Sequence, residues 1–413
     1  MVVKSTVGDY VTLQRGITYK GNLVGKPGPA LLGLGAIHPG GGFREGDYKT
    51  YGGECPPKIM LSPGDLFVSL KGATKDGKMI GSVARVPPSV ASGRLTQDTV
   101  KLEFRDSSQE EQNFLYWVLR TPQYRDYCDG HATGSAVVAL SRDDFLAYPV
   151  PPVTPARKSI VELLEILDRK IELNRRMNAT LEAMAQALFQ SWFVNLDPIR
   201  ANSGSEPTVA KQVAADAGWD TRSLDEIAHY LNGVALQKYP PGDGPTLPVI
   251  KIAQLRKGST IDAGRCNSDL PPAYIVQDGD VLFSWSGTLE VELWCGGVGA
   301  LNQHLFKVTS KEFPKWFYYL WTRHHLDEFR RIAAAKATTM GHIQRSHLSA
   351  AKVIVPPKAV LEEMSLSMSP LVEKIILNRV QSRNHVALRD ALLPKLLIGD
   401  LELEDAERIV EDV

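Results

Sequence analysis

Two stretches of this 413-residue chain carry side chains well suited to recognition chemistry. Asn302-Gln303-His304 sets two amides beside an imidazole, and Ser284-Trp285-Ser286-Gly287-Thr288 offers hydroxyls around an indole on a glycine-containing turn. Bidentate amides and an imidazole suit adenine or guanine edges in the major groove of double-stranded DNA. Each stretch has an earlier counterpart, Thr96-Gln97-Asp98 for the first and a turn carrying Lys71, Lys75 and Lys78 for the second. Those lysines, flanked by Gly72 and Gly77, could reach phosphates, or form a solvated hairpin tip. Gln97 and Gln303 are candidates for base contact or, as their shared place in both copies favours, structural residues bonding backbone at a strand start. Asp98 and His304 differ between copies and read as functional. A third pair of stretches, His131-Ala132-Thr133-Gly134-Ser135 and Lys336-Ala337-Thr338-Thr339-Met340-Gly341-His342, brings short hydroxyls with cationic or imidazole flanks. It fits phosphate or base contact, or a plain turn.

No catalytic constellation accompanies them. Gly21-Asn22-Leu23-Val24-Gly25-Lys26 has one residue too few for a phosphate-binding loop and lacks its hydroxyl. Gly33-Leu34-Gly35 lacks the third glycine and the ribose-binding acid of a dinucleotide fingerprint. H-E-x-x-H, G-x-S-x-G and Asn/Asp-Pro-Pro motifs are missing from the sequence. The expectation is a non-enzymatic chain that binds no cofactor.

The elements that position these residues are duplicated at an offset of about 204 to 217 positions. Val7-Gly8-Asp9-Tyr10 leading to Gly16 is echoed by Leu224-Asp225-Glu226-Ile227 leading to Gly233. Gly64-Asp65-Leu66-Phe67-Val68-Ser69 returns as Gly279-Asp280-Val281-Leu282-Phe283-Ser284, and Lys170-Ile171-Glu172-Leu173-Asn174-Arg175 as Lys374-Ile375-Ile376-Leu377-Asn378-Arg379. A unit this long is a duplicated globular domain plus a helix, since solenoid repeats recur every few dozen residues. Short strand patterns at Asp65–Ser69, Thr99–Phe104, Pro248–Ile252 and Val281–Trp285 alternate with one amphipathic helix per copy, near Gln109–Leu119 and Lys315–Phe329. The fold class is α+β, with mixed sheets in both globular copies.

Residues 156–194 predict a long helix starting at Thr154 or Pro155. Ile160, Leu167, Asn174, Leu181 and Leu188 share one heptad position, and Leu164, Ile171, Asn178 and Ala185 the other. The second long helix repeats the seam with Met364, Leu371, Asn378 and Leu392, and with Met368 and Ile375. His385, Ser382 and Arg389 interrupt it. Pro370 should kink it or restart it, and Pro394 should end it. Two such stripes in one chain most simply bury each other. Asn174 and Asn378 then either fix the register from a buried seam or hold water on an exposed edge. The expected domains are 1–154 (first globular domain), 155–195 (helix), 196–220 (linker around Ala201-Asn202-Ser203-Gly204-Ser205-Glu206-Pro207), 221–357 (second globular domain) and 358–413 (second helix and acidic tail).

Net charge is zero, which argues against indiscriminate coating of anionic polymers. Basic against acidic residues count 17 to 15 over 1–150, 16 to 12 over 221–358 and 6 to 11 over 359–413, so the globular parts lean basic and the tail acidic. No run approaches the roughly 18 apolar residues of a membrane span, and no signal pattern opens the sequence, placing the chain in the cytoplasm. Cys55, Cys128, Cys266 and Cys295 stand apart and read as free thiols.

Lys170 to Ala185, continuing through Leu188-Phe189-Gln190-Ser191-Trp192-Phe193, resembles the central conserved helix of specificity (S) subunits of Type I restriction-modification systems. Leu388-Arg389-Asp390-Ala391-Leu392-Leu393-Pro394-Lys395-Leu396-Leu397-Ile398-Gly399-Asp400-Leu401 resembles their C-terminal conserved helix. Ala156-Arg157-Lys158 depart from the pattern, standing where a Glu-Gln pair is usual. The resemblance implies two target recognition domains, each reading one half of a split DNA site. They would be joined and separated by two long antiparallel coiled-coil helices. It implies two modification (methyltransferase) subunits and restriction/translocase subunits as partners, with S-adenosylmethionine, ATP and Mg2+ used by those partners, and no membrane. The competing expectation is a duplicated protein-interaction scaffold without DNA specificity.

Overall fold

The computed structural model describes residues 5–46, 48–72, 77–105, 108–134, 138–203, 216–335 and 341–398. Two compact units emerge, one of residues 1–169 with 385–413, the other of residues 170–384, so the chain passes between them only inside its two long helices, Pro155–Phe189 and Lys358–Ile398.

In the first unit an antiparallel sheet has the strand order Val11–Arg15, Thr99–Phe104, Leu66–Ser69, Val83–Arg85. A smaller mixed sheet sets Gly93–Leu95 between Ala30–Leu32, which is parallel to it, and Met60–Leu61, which is antiparallel. The second unit repeats the plan. Its antiparallel sheet runs His229–Asn232, Leu305–Thr309, Val281–Ser284, Val291–Leu293, and its mixed sheet pairs Thr246–Ile250 in parallel with Gly299–Leu301. The predicted strand at Pro248–Ile252 is therefore shifted, with Ile252 opening a short helix, Ile252–Lys257. Each unit also has more helix than the sequence pattern suggested. Gln109–Val118 is followed by Pro122–His131, and Lys315–His324 by Leu326–Ala335.

The repeated sequence fragments are the joints of this plan. Gly64 and Gly279 adopt φ of +92° and +86°, where a Cβ is disfavoured. The aspartate that follows accepts a turn N–H and pairs with a lysine on the next strand. Asp65 receives Ser62 N and Lys101 Nζ at 2.8 and 2.7 Å, and Asp280 receives Gln277 N and Lys307 Nζ, both at 2.8 Å. The earlier echo is a pair of capping boxes, with Asp9 bonding Thr6 N at 2.9 Å and Glu226 bonding Ser223 N at 2.6 Å. These bonds hold both carboxyls below their ordinary range, the Ser5 and Thr6 backbone bonds leading for Asp9 and the Ser223 hydroxyl bond for Glu226.

The long helices pair antiparallel within each unit. In the first, Ile160, Leu164, Leu167 and Leu392 are buried, Asp168 meets Arg389 at 3.1 Å, and Arg157 donates to the carbonyls of Leu396 and Leu397 at 3.1 and 2.7 Å. The residue that departs from the family pattern thus caps the end of the opposite helix. In the second unit the seam amides interlock. Asn174 Nδ2 donates to the Asn378 carbonyl at 3.4 Å, Asn378 Nδ2 to Asn178 Oδ1 at 2.9 Å, and Asn178 Nδ2 to the Ile375 carbonyl at 3.3 Å. Asn174 and Asn378 are buried, so the exposed-edge alternative does not hold. Ile375 is buried beside them, while Ile171, Leu181, Leu188 and Leu371 are half-buried.

Contrary to expectation, neither Pro370 nor Pro394 interrupts the second helix, which continues from Lys358 to Ile398. An interior proline costs about 3 kcal/mol or more. Burial of Met364, Met368, Val372 and Ile375 around Pro370, and of Leu392, Leu393 and Leu396 around Pro394, offsets it. His385, expected to interrupt the seam, is itself buried. The first helix ends in a widened turn, Gln190–Val194, that drives Phe193 among Trp316, Phe317 and Trp321 at ring distances of 6.1, 5.6 and 5.6 Å. Beyond it, the start of the expected linker is helical, Asp197–Ser203.

Candidate nucleic-acid interface

In the second unit three segments converge at the end of the antiparallel sheet. Strand Val281–Ser284 is closed by Ser284, whose Oγ donates to the Thr288 carbonyl and accepts Glu290 N, both at 2.7 Å. The strand-entry turn is braced by Asn302, whose Oδ1 accepts His304 N at 3.3 Å and whose Nδ2 donates to Gln303 Oε1 at 2.6 Å. Gly233 crosses so close that a Cβ would lie 2.2 Å from the Asn302 carbonyl oxygen. The returning chain joins through Gly287 N to the Gly341 carbonyl at 2.9 Å and Ile343 N to the Trp285 carbonyl at 3.0 Å.

This framework gathers five of the singled-out residues, Trp285, Ser286, Gln303, His304 and His342. Ser286 Oγ lies 3.0 Å from His304 Nδ1, and the Trp285 ring lies 6.0 Å from that of His304 and 6.4 Å, edge-on, from that of His342. Trp285 Nε1 is anchored on Asn232 Oδ1 at 2.9 Å. Ser286 is buried, Trp285, Gln303 and His304 half-buried and His342 exposed. Nearby acids are engaged internally, Glu290 by Arg330 at 3.3 Å and Glu292 by Arg379 at 3.3 Å. Burial pushes the Glu292 carboxyl up and Arg379 opposes the shift.

The first unit repeats the backbone bonds of this framework. Leu140 N reaches the Leu70 carbonyl at 2.9 Å, Gly72 N the Val138 carbonyl at 2.8 Å, and a Cβ on Gly16 would lie 2.0 Å from the Thr96 carbonyl oxygen. Lys71 and Asp98 occupy the places of Ser286 and His304, with Lys71 Nζ 3.8 Å from Asp98 Oδ1. Thr133 is linked to Lys71 through Ala139, which bridges both. His131 ends its helix stacked on Tyr127 at 3.9 Å, with Nδ1 2.9 Å from the Tyr127 carbonyl oxygen. Lys78 is exposed, and its carbonyl accepts Arg125 NH2 at 3.1 Å.

Two readings need correction. Gln97 does not brace the strand start. Its side chain is exposed, and Thr99 does that work, its Oγ1 donating to the Leu32 carbonyl at 2.8 Å. The same buried hydroxyl accepts Thr96 N at 3.2 Å, so the turn is closed without the exposed amide. His342 also has Ala139, not a residue of the His131–Ser135 stretch, as its counterpart, because Ser286 bridges His342 as Lys71 bridges Ala139. Lys75, Ser135, Lys336 and Thr338 lie outside the described residues. Sequence reading missed Asn232 and took the Asn302 amide for a base contact when it braces the turn, though the echo of Gly16 in Gly233 marks the crossing where they sit.

Residues 216–387 match the family described as the Type I restriction modification DNA specificity domain. The chain is 26% identical over 309 residues to the Type I restriction enzyme MjaIX specificity subunit of Methanocaldococcus jannaschii, spanning 71% of this chain and 69% of that protein. The chain is thus similar to specificity subunits of Type I restriction-modification systems, with the family's DNA specificity domain matched at residues 216–387. The HindI specificity subunit of Haemophilus influenzae is 22% identical over 312 residues, 60% of this chain and 68% of that one. The fold is that of the crystal structure of a Type-I restriction-modification system S subunit from M. genitalium, with TM-score 0.59 at 13% identity over 96% of both chains. In this chain the two loop clusters set different side chains on a common pattern of backbone bonds. No helix among the described residues is long and apolar enough to cross a membrane.

Proposed function

We propose that each globular half reads one half of a bipartite double-stranded DNA target through its three-segment cluster, and that the long helices set the spacing between the half-sites. The observation that carries this reading is the match between frameworks. Equivalent backbone bonds hold Lys71 with Asp98 in one unit and Ser286 with His304 in the other, which is what two readers of different sequences require. The helices would also dock two modification subunits and the restriction/translocase subunits. Those partners would use S-adenosylmethionine, ATP and Mg2+ in the cytoplasm, while this chain contributes recognition and no bond-making chemistry.

The test is duplex binding by the purified chain across a salt series, together with methylome sequencing of cells in which residues 221–357 are replaced by the same domain of a relative. Steep loss of affinity with salt, from release of counterions at neutralised phosphates, and a change in one half of the methylated sequence are expected. Salt-insensitive binding, or loss of both half-sequences together, would favour a protein-interaction scaffold instead.

A further inference from the structure

The two clusters place an interacting pair at equivalent positions, one residue just after the strand and one in the strand-entry turn. In the first unit the pair is Lys71 with Asp98, in the second Ser286 with His304. Their hydrogen-bonding capacities differ in kind. An ionised carboxylate only accepts, whereas a neutral imidazole accepts on one nitrogen and donates from the other, depending on where its proton sits.

Ser286 determines that position. Its residue is 3% exposed, and among the described residues the hydrogen-bond partner of its Oγ is His304 Nδ1, at 3.0 Å. If the hydroxyl accepted from Nδ1–H, its own proton would be buried without an acceptor. If it donates to Nδ1, only an oxygen lone pair goes unused, and buried donors are far more rarely left unpaired than acceptors with spare lone pairs. With Nδ1 accepting, the neutral ring carries its proton on Nε2.

We propose that Ser286 is a positioning residue that fixes His304 as a hydrogen-bond donor, so that the second unit reads a base acceptor where the first, through Asp98, reads a base amino group. The partners available in the major groove are guanine N7 or O6, adenine N7 or thymine O4 for His304, and cytosine N4 or adenine N6 for Asp98. This inference rests on the DNA-recognition reading above and assigns it an opposite polarity at one equivalent position per half-site.

The experiment is selection of randomised duplexes by the full chain and its variants, with 15N-histidine spectra of the same proteins. His304→Ala should lower preference at one base position of one half-site by about 5- to 150-fold. Ser286→Ala should weaken preference at that same position and convert the His304 ring signals from a single Nε2–H form to a mixture, a change that a purely packing role does not produce. His304→Gln, which keeps a donor, should retain the selected base, and His304→Asp should shift the choice to a base presenting an amino group. Flattening by His304→Ala with no effect of Ser286→Ala on either readout overturns the positioning role. An unchanged base choice with His304→Asp overturns the assigned polarity. If the unaltered chain selects no sequence at all, the DNA-recognition reading itself has failed, an outcome distinct from both.

Discussion

The amide network at Asn178 and Asn378 yields a quantitative prediction. Asn378 is fully buried, its Nδ2 donates to Asn178 Oδ1 at 2.9 Å, and among the described residues its own Oδ1 finds no partner. Asn378→Leu removes that unpaired oxygen but leaves Asn178 Oδ1 without its donor. Asn178→Leu leaves the whole Asn378 amide unpaired. Stranding a buried polar group costs about 1–3 kcal/mol, so each single variant should lose stability in that range, with Asn178→Leu the worse of the two. The double variant strands neither group and replaces both by apolar side chains, so its loss should be well below the sum, near zero or a gain. At a urea slope of about 3 kcal/mol/M, each single change lowers the midpoint of the second unit by roughly 0.3–1 M, and the double change restores it. Urea titrations read by tryptophan fluorescence, assembled into a double-mutant cycle, measure the coupling. Single losses that simply add, with a coupling under about 0.5 kcal/mol, would refute the proposed network.

Three other outcomes are expected. Burial pushes the Cys128 and Cys295 thiols up to about 11, so at pH 8 both should resist a thiol reagent in the native chain while half-buried Cys55 reacts; mass spectrometry of labelled peptides decides. Arg157→Ala removes two charge-assisted bonds to the Leu396 and Leu397 carbonyls, which should cost the first unit about 1–3 kcal/mol and speed amide exchange in the last turns of the second long helix. Inserting seven helix-forming residues into both long helices, between Arg169 and Lys170 and between Asn384 and His385, keeps the heptad phase and adds about 10 Å at ~1.5 Å per residue. The methylated sequence should then open by about three base pairs between unchanged halves at roughly 3.4 Å per step, and an unchanged spacing in an active complex would show that the helices do not set it.

What the sequence determined by itself is whatever repeats or follows a period. The duplication, the α+β class and the heptad seam were legible because a buried stripe must recur every 3.5 residues and a turn needing positive φ must keep its glycine, as Gly64 and Gly279 do. The candidate loops were legible as chemistry, since their hydroxyls, amides and imidazoles are hydrogen-bonding groups visible in residue type alone. Tertiary structure decided the rest. It carried the second helix through Pro370, because burial of Met368 and Ile375 outweighs a local penalty that sequence alone registers in full. It moved the bracing role from Gln97 to Thr99, since the space inside a turn is invisible to residue type. It also joined Ser286 to His304 and Lys71 to Asp98, pairs distant in sequence that meet only because each intervening chain returns antiparallel to the same sheet end.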